Sequence, residues 1–212
     1  MKKIAVLISG QGTNLQAIID ACEKSFIPAK IACVVSNKAE AFGLERAKSA
    51  VIPTQVFLRQ HFVDNKEMDN AIGDYLQAMG IDLIVLAGYM KILTPAFTQR
   101  FPGKILNIHP SLLPKYAGLH TYQRALDAGD TEHGTTVHFV NEEVDSGAII
   151  LQAKVPIFPD DNVEDIELRT REQEYAIYPM VIKWFIEDRL HLKDGIAYLD
   201  GKPLPKQGYA NE

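Results

Sequence analysis

The chain has 212 residues, of which 47% are hydrophobic and 23% charged, and its formal net charge is −5 at pH 7. This composition is that of an ordinary globular protein with one sizeable core, and it excludes a disordered or fibrous chain. The negative charge opposes a broad contact with a phosphate backbone, so we expect no nucleic-acid partner. A local pocket for a single phosphate remains compatible with it.

Hydropathy and cysteine content indicate where the protein acts. The apolar run near Met1 is interrupted at residues 9–12, before it reaches the length of a signal-peptide core, and no later run approaches a membrane span. We therefore expect a soluble protein with no membrane partner. Cys22 and Cys33 have neither metal-ligand spacing nor a disulfide framework, which favours a cytoplasmic location, and no spacing of histidine and carboxylate residues predicts a metal site.

The first half of the chain alternates short apolar runs with segments of helical periodicity. Strands are predicted at residues 4–8, 31–35, 53–57 and 82–87, and helices at residues 14–22, 39–50 and within 65–79. Alternation at this spacing predicts right-handed βαβ crossovers and a parallel sheet. The first hundred residues therefore have the organisation of a nucleotide-binding half.

A glycine-containing turn, Ser9-Gly-Gln-Gly-Thr-Asn14, joins the first predicted strand to the first helix. Glycines let the backbone approach a ligand, and Thr13 or Asn14 could cap the helix and leave its amide hydrogens facing an anion. The turn lacks the third glycine of a dinucleotide fingerprint and the lysine of an NTPase phosphate loop. It therefore favours a mononucleotide or phosphoribosyl group, and the alternative is a plain strand-to-helix turn.

Residues 88–95 follow the fourth predicted strand, at the sheet edge where the glycine turn also lies. Tyr89, Met90, Ile92 and Leu93 could line an apolar slot for a flat ring, with backbone groups exposed for hydrogen bonds. The same side chains could equally pack beneath the next helix.

The segment from Lys104 to His120 contains the clearest candidate site. Strand-forming residues surround Asn107 and His109, and because side chains alternate along a strand, these two project on the same side. Pro110 cannot donate to a β-ladder, so the strand should end at His109, where α/β proteins bind their ligands. The alternative is that His109 only caps the strand while Asn107 satisfies a turn.

In the second half, a helix is predicted at residues 121–128 and strands at residues 135–140 and 148–155. Their connection, residues 141–147, is too short for a crossover helix, so the two strands should be antiparallel. Asp145 lies in this acidic connection, which could also be a simple solvated turn.

The longest predicted helix covers residues 162–190, with Asn162 as its cap and a kink or break near residues 175–178 caused by Pro179. An edge hairpin is expected at residues 190–199. Together these elements predict one α/β domain with a mostly parallel twisted sheet, helices on both faces and antiparallel strands in the C-terminal half.

Four motifs, in this order and spacing, closely resemble those of the phosphoribosylglycinamide formyltransferases, a family of folate-dependent formyltransferases of purine synthesis. They are Ser9-Gly-Gln-Gly-Thr-Asn-Leu15, Leu86-Ala-Gly-Tyr-Met90, Asn107-Ile-His-Pro-Ser-Leu-Leu-Pro-Lys-Tyr116 and Val144-Asp-Ser-Gly147. The resemblance covers nearly the whole chain. The third motif is shared with other formyltetrahydrofolate enzymes and indicates the chemistry, whereas the glycine turn and the chain length indicate the acceptor.

The resemblance implies a Rossmann-like formyltransferase fold and formyl transfer from 10-formyltetrahydrofolate, the co-substrate, to the primary amine of glycinamide ribonucleotide (GAR). The products would be formyl-GAR and tetrahydrofolate, in the biosynthesis of IMP. A single domain, 1–212, would comprise a phosphate-binding half at about 1–100 and a catalytic, folate-binding half at about 101–212. The protein would use no metal and act as a monomer or homodimer.

The resemblance also assigns the site residues. The catalytic set is Asn107, His109 and Asp145; the GAR-binding set is Gly12, Thr13, Asn14 and Glu174, the last near the ribose hydroxyls; and the folate-binding set is Met90, Lys91, Ile92, Leu93 and Asn107. Where relatives often carry an arginine that helps to hold the folate, this chain has Asn65 followed by Lys66.

The chemistry explains these residue types. Attack of an amine on the formyl carbonyl creates a tetrahedral intermediate with negative oxygen and positive nitrogen. Asn107 can donate a neutral hydrogen bond to that oxygen, and protonated His109 a charge-assisted one. Asp145 would favour the charged imidazole and could relay the ammonium proton through water to the departing folate nitrogen. No covalent enzyme intermediate is required.

Three other functions fit parts of the sequence. Enzymes that formylate methionyl-tRNA carry an extra C-terminal RNA-binding domain, whereas this acidic chain ends early and lacks a basic patch. Enzymes that hydrolyse formyltetrahydrofolate carry an N-terminal regulatory domain that is not found here. A nucleotide-binding regulator on the same fold is the third alternative, although it would not need an amide, an imidazole and a carboxylate together.

Overall fold

The computed structural model describes residues 1–210. The chain divides into two compact units, Met1–Asn107 and the residues from Ile108 onward. The boundary lies within a single β-strand, Ile105–His109. Each unit is considered in turn, and the expected single domain stays a prediction.

The first unit alternates strands with helices. Its elements are β1 (Lys2–Ile8), α1 (Thr13–Glu23), β2 (Ala29–Ser36), α2 (Gly43–Ser49), β3 (Thr54–Val56), α3 (Asn65–Ala78), β4 (Leu83–Leu86), α4 (Pro95–Arg100) and β5 (Ile105–His109). β1 pairs with β2 and β4, β2 with β3, and β4 with β5, all in parallel. The predicted parallel sheet is confirmed, and β5 ends at His109 as Pro110 requires.

β1 is the centre of this unit's core. Five consecutive residues, from Ile4 to Ile8, are fully buried. A continuous apolar run of this kind is typical of a strand covered on both faces, where alternation with polar residues would bury the polar ones. The helices contribute apolar stripes at helical spacing, among them Leu15, Ile18 and Ile19 on α1 and Met68, Ile72 and Leu76 on α3.

The second unit contains α5 (Thr121–Asp127), β6 (Glu132–Phe139), β7 (Ile149–Pro156), α6 (Val163–Ile186), β8 (Leu190–Lys193), β9 (Ile196–Leu199) and β10 (Lys202–Pro203). β6 and β7 pair antiparallel, as the short connection predicts, and β8 and β9 form the predicted hairpin. The main sheet has seven strands in the order β3-β2-β1-β4-β5-β6-β7. The predicted α/β fold with a mixed sheet is confirmed.

α6 differs from its prediction in one respect. Asn162 caps it in a reciprocal capping box with Asp165, as expected. The helix then continues without interruption through Pro179 to Ile186, so it does not break there, and the alternative of a kink stays a prediction. Proline removes one intrahelical hydrogen bond, and the buried residues on either side, Ile177 and Val181, supply packing that keeps the helix together. Within residues 1–210, no helix is long and apolar enough to cross a membrane.

Candidate active site

The glycine turn places α1 differently from the sequence prediction. Gly12 is the N-cap residue, in the left-handed conformation with φ of 74°, and no side chain caps the helix. Thr13 and Asn14 therefore lie in the first turn, and their predicted role as caps is wrong. A glycine reaches this conformation at no steric cost, so the chain enters the helix without a polar cap. The amide end of α1 carries positive partial charge, which suits an anion.

The glycine turn is held by the beginning of α2. Gly43 N–H donates to Gly10 O at 3.0 Å, and the guanidinium of Arg46 donates through Nε to Gln11 O at 2.8 Å. A β-carbon on Gly12 would lie 2.7 Å from the α-carbon of Gly43. Backbone therefore packs directly on backbone here. Sequence reasoning missed this pairing, because the residues around Gly43 and Arg46 have the pattern of an ordinary helix.

Ser9 joins the end of β1 to the segment predicted to bind folate. Its buried hydroxyl donates to Asn37 Oδ1 at 2.5 Å and accepts from the N–H of Met90 at 2.7 Å. The first residue of the segment Met90 to Leu93 is thus fixed to the strand that precedes the glycine turn.

The side chains of this segment alternate in exposure. Met90 and Ile92 are 63% and 69% exposed, whereas Leu93 is buried. Two exposed apolar side chains beside each other are available to contact an apolar ligand. The Tyr89 hydroxyl is buried and makes no hydrogen bond to the described residues. Burial raises its pKa, and the nearby Asp69 carboxylate adds to the shift.

Lys91 serves as an anchor for this segment. Its ammonium lies 2.5 Å from Oδ1 of Asp69, and both side chains are nearly buried. The second oxygen of Asp69 accepts from Thr94 N–H at 2.8 Å. From within α3, Asp69 thus holds one residue of the segment and the residue that follows it. Sequence reasoning missed it because a lone aspartate in a helical pattern reads as solvent-facing.

In the second unit, both ring nitrogens of His109 face defined partners. Nε2 lies 2.8 Å from Tyr116 O, and because a carbonyl only accepts, Nε2 carries the proton of that bond. Nδ1 lies 3.5 Å from Oδ1 of Asp145, and both side chains are 9% exposed. The expected proximity of Asp145 to His109 is present in the structure. A doubly protonated ring would be matched on one side by a carbonyl and on the other by a carboxylate.

Asp145 lies in the β6–β7 connection with φ of 54°. Its Oδ2 accepts from Gly118 N–H at 2.9 Å, which leaves Oδ1 facing the imidazole. The segment that holds His109 through Tyr116 O therefore also holds Asp145, two residues later.

Side chains of β6 support the backbone that follows β5. His133 Nε2 donates to Pro110 O at 2.7 Å, and Thr136 Oγ1 donates to Ser111 O at 2.7 Å. Thr135 Oγ1 lies 3.0 Å from His109 O and 2.8 Å from Oε2 of Glu174, and its single hydrogen serves one acceptor at a time.

Glu174 itself is 5% exposed. Its carboxylate adds to the effect of burial in raising the pKa of Tyr122 and Tyr178. Sequence reasoning reached Glu174 only through family resemblance, and it missed Thr135, whose hydroxyl connects this carboxylate with the end of β5.

Two histidines beside the site are buried. His138 donates through Nδ1 to Phe139 O at 2.8 Å. Burial lowers the pKa of His133 and of His138 below the ordinary value of 6.5. Among the described residues, no group of three or more histidine, cysteine, aspartate or glutamate side chains could hold a metal ion.

Comparison with known proteins gives the family. The formyl transferase family matches residues 2–182. A phosphoribosylglycinamide formyltransferase of Haemophilus influenzae is 78% identical over 212 residues, which is 100% of both chains. The chain belongs to the phosphoribosylglycinamide formyltransferase family. The Escherichia coli protein of that name is 53% identical over 207 residues, 98% of each chain. The solved structure of the Coxiella burnetii protein of that name has a TM-score of 0.95, with 45% identity and 98% of each chain covered.

The protein is therefore a formyltransferase enzyme of purine biosynthesis, and the predicted family and class of reaction are confirmed. The catalytic and binding roles assigned to individual residues stay predictions. The structure brings Asp145 to His109 and fixes Met90 to Ser9.

Replacing Gly12 by alanine should destabilise this formyltransferase by more than about 1 kcal/mol, because positive φ is strained with a side chain present. The new methyl group would also collide with the backbone of Gly43. Chemical denaturation measures the effect. Gly10→Ala is the matched control, since a β-carbon there would meet nothing within 4 Å. Equal stabilities of the two variants would contradict this account of the turn.

Stability should fall as pH drops below about 6.5, because the unfolded chain then binds protons that His133 and His138 do not bind when folded. One such group changes the free energy of unfolding by at most about 1.4 kcal/mol per pH unit. His133→Gln should flatten the dependence between pH 7.5 and 5.5, measured by urea denaturation. An unchanged slope would show that His133 is protonated in the folded state.

Proposed function

We propose that this formyltransferase transfers the formyl group of 10-formyltetrahydrofolate to the primary amine of GAR, yielding formyl-GAR and tetrahydrofolate. The observation that supports this most directly is the fixed imidazole of His109, between a carbonyl and the carboxylate of Asp145. Relatives that are 78% and 53% identical bear the corresponding name over their full length or nearly so. We also propose that the reaction needs no metal.

The transfer would begin with attack of the GAR amine on the formyl carbon. The carbonyl oxygen becomes an oxyanion, and the attacking nitrogen becomes an ammonium. Asn107 and His109 are two residues apart on β5. Because successive side chains of a strand point to opposite sides, these two project on the same side. In our proposal the oxyanion accepts from the amide N–H of Asn107 and from the Nδ1–H of the protonated His109 ring, the second bond being charge-assisted, while Nε2–H stays bonded to Tyr116 O.

Asp145 has two proposed roles. As a carboxylate facing Nδ1 of His109, it favours the positive ring that stabilises the oxyanion. It also accepts the proton lost by the ammonium, directly or through water, and passes it toward the folate nitrogen that departs. Collapse of the intermediate then breaks the bond between the carbon and the folate nitrogen and restores the carbonyl. No bond between protein and substrate forms.

We propose that the substrates bind through the groups already predicted. The phosphate of GAR would lie at the amide end of α1, held by Gly12, Thr13 and Asn14, because the N-terminal amides of a helix and the helix dipole attract anions. Glu174, a nearly buried carboxylate, would accept hydrogen bonds from the ribose hydroxyls.

The folate ring would contact the segment Met90 to Leu93. The exposed apolar side chains of Met90 and Ile92 support this, and the ammonium of Lys91, paired with Asp69, would act by holding the segment. Asn107 would also contact the folate, through the formyl oxygen that it stabilises.

We propose a cytoplasmic location and action as a monomer or homodimer, with small molecules as the only substrates. Cys22 and Cys33 are free. Burial raises the pKa of both thiols to about 11, so both stay protonated at neutral pH and are poor nucleophiles. Free, unreactive thiols are usual in a reducing compartment.

The direct test is to mix the purified protein with GAR and 10-formyltetrahydrofolate and to follow folate absorbance. Transfer to GAR supports the proposal. Formate release without an amine acceptor would indicate a hydrolase, and formylation of methionyl-tRNA would indicate the related tRNA enzyme. Tight nucleotide binding with no formyl transfer would favour a regulator. Each of these three results would overturn the proposal.

Asn107→Ala and His109→Ala should each lower kcat by on the order of a hundred- to a thousandfold, because each removes a donor to the oxyanion. KM for both substrates should change much less, since these bonds strengthen only in the transition state. His191→Ala, which removes an exposed histidine of β8, is the control and should keep wild-type kcat. Near-wild-type turnover of either site variant would rule out the role proposed for that residue.

A further inference from the structure

Arg124, on α5, holds the segment between β5 and α5 from one side. Its Nη1 donates to Ala117 O at 2.7 Å and to Leu119 O at 3.2 Å. These two carbonyls flank Gly118, whose N–H donates to Asp145. The guanidinium carbon also lies 5.1 Å from the ring centroid of Tyr116, within the range of a cation–π contact.

Tyr116 is held by a second anchor. Its hydroxyl donates to Oδ2 of Asp130 at 2.5 Å, and Lys115 Nζ lies 3.1 Å from the same oxygen. The bonds from Tyr116 and Lys115 lower the pKa of Asp130, so it stays an acceptor at neutral pH. Because Tyr116 has φ of 52°, its backbone is in a region that a side chain disfavours. The ring contacts oppose relaxation of that conformation.

We propose that Arg124 is a positioning residue for formyl transfer. The geometry points to it because one guanidinium bonds the carbonyls on both sides of Gly118 and lies over the ring of Tyr116. Tyr116 carries the acceptor for His109 Nε2, and Gly118 carries the donor for Asp145 Oδ2. Tyr116, through its hydroxyl bond to Asp130, assists it. The inference rests on the proposed function for its kinetic consequence, but its structural consequence is independent of that function.

By holding this segment, Arg124 influences which ring nitrogen of His109 is protonated and how the ring is oriented. With Tyr116 O in place, the Nε2–H form of His109 is favoured by one hydrogen bond. If the segment moves by an ångström, that bond weakens, and the ring rotates or exchanges between its two neutral forms. When the ring rotates, the Nδ1–H that the protonated form offers to the oxyanion is misplaced, although substrate-binding groups elsewhere are untouched.

Arg124→Met keeps an apolar stem of similar length and removes the donors. We expect kcat to fall by on the order of ten- to a hundredfold, with KM for GAR and for 10-formyltetrahydrofolate nearly unchanged. Independently, ¹⁵N NMR of the substrate-free protein should show the His109 ring, assigned by its absence in His109→Asn, shifting toward an average of the two neutral forms.

Two further variants separate geometry from charge. Arg124→Lys keeps the positive charge but lacks the planar fork, so it should not restore kcat or the His109 spectrum. Tyr116→Phe loses only the bond to Asp130 and should change the spectrum in the same direction by a smaller amount; it also serves if Arg124→Met does not fold. Arg189→Met, which removes an ion pair with Asp200 in the C-terminal hairpin, is the control and should match the wild type.

The proposal is overturned if the His109 spectrum of Arg124→Met matches that of Arg189→Met, or if Arg124→Lys behaves like the wild type. When Arg124→Met fails to fold, an unchanged His109 spectrum in Tyr116→Phe overturns it. If the wild type transfers no formyl group to GAR, the proposed function fails, and the spectra alone still decide whether Arg124 fixes the imidazole.

Discussion

The hydrogen bond from His109 Nε2 to Tyr116 O is the interaction on which the proposed chemistry of this protein depends. A carbonyl has no proton to give, so this 2.8 Å contact determines which ring nitrogen is protonated. The other nitrogen, Nδ1, faces Asp145 at 3.5 Å from its Oδ1. The carbonyl and the carboxylate on the two sides of the ring are complementary to an imidazole that is protonated on both nitrogens. That is the form that best stabilises an oxyanion.

The fold produces this arrangement by ending a strand and then supporting its end from a neighbour. Pro110 stops the ladder of β5, which leaves carbonyls that no strand amide can reach. Side chains of β6 take over, with His133 donating to Pro110 O and Thr136 to Ser111 O. Because β6 and β7 are antiparallel, a short connection is enough to return the chain, and that connection contains Asp145. The carboxylate is thus carried by a loop, and the backbone amide of Gly118 anchors it.

Much of the fold was predictable because apolar periodicity and proline act locally. The end of β5 at His109 followed from Pro110, and the antiparallel pairing of β6 with β7 followed from the length of their connection. Local rules failed where tertiary packing decided the outcome. The N-cap of α1 is Gly12 and not a polar residue because Gly12 packs on Gly43, which is far away in sequence.

The positions of individual charged groups were the least predictable. Asp69 and Arg124 each lie in a helix whose pattern gives them the appearance of solvent-facing residues. Their partners, Lys91 in one case and backbone carbonyls in the other, are fixed only by the folded chain. Periodicity tells which face of a helix is apolar, but it does not tell which polar side chain finds a buried acceptor. Asp145 was reached only because its motif resembles that of a known family.

Backbone strain is also present in the segments around the same histidine. Tyr116, His120 and Asp145 all have positive φ, between 52° and 57°, in a conformation that residues with side chains rarely adopt. Each costs on the order of 1 kcal/mol, and such conformations persist only when surrounding contacts hold them. Two of the three touch His109, one through its carbonyl and one through its carboxylate. The contacts that offset this cost, from Asp130, Arg124 and Gly118, all lie outside the ring itself. A rigid imidazole is therefore a property of the segment around it, since nothing in the histidine side chain alone would select one nitrogen over the other.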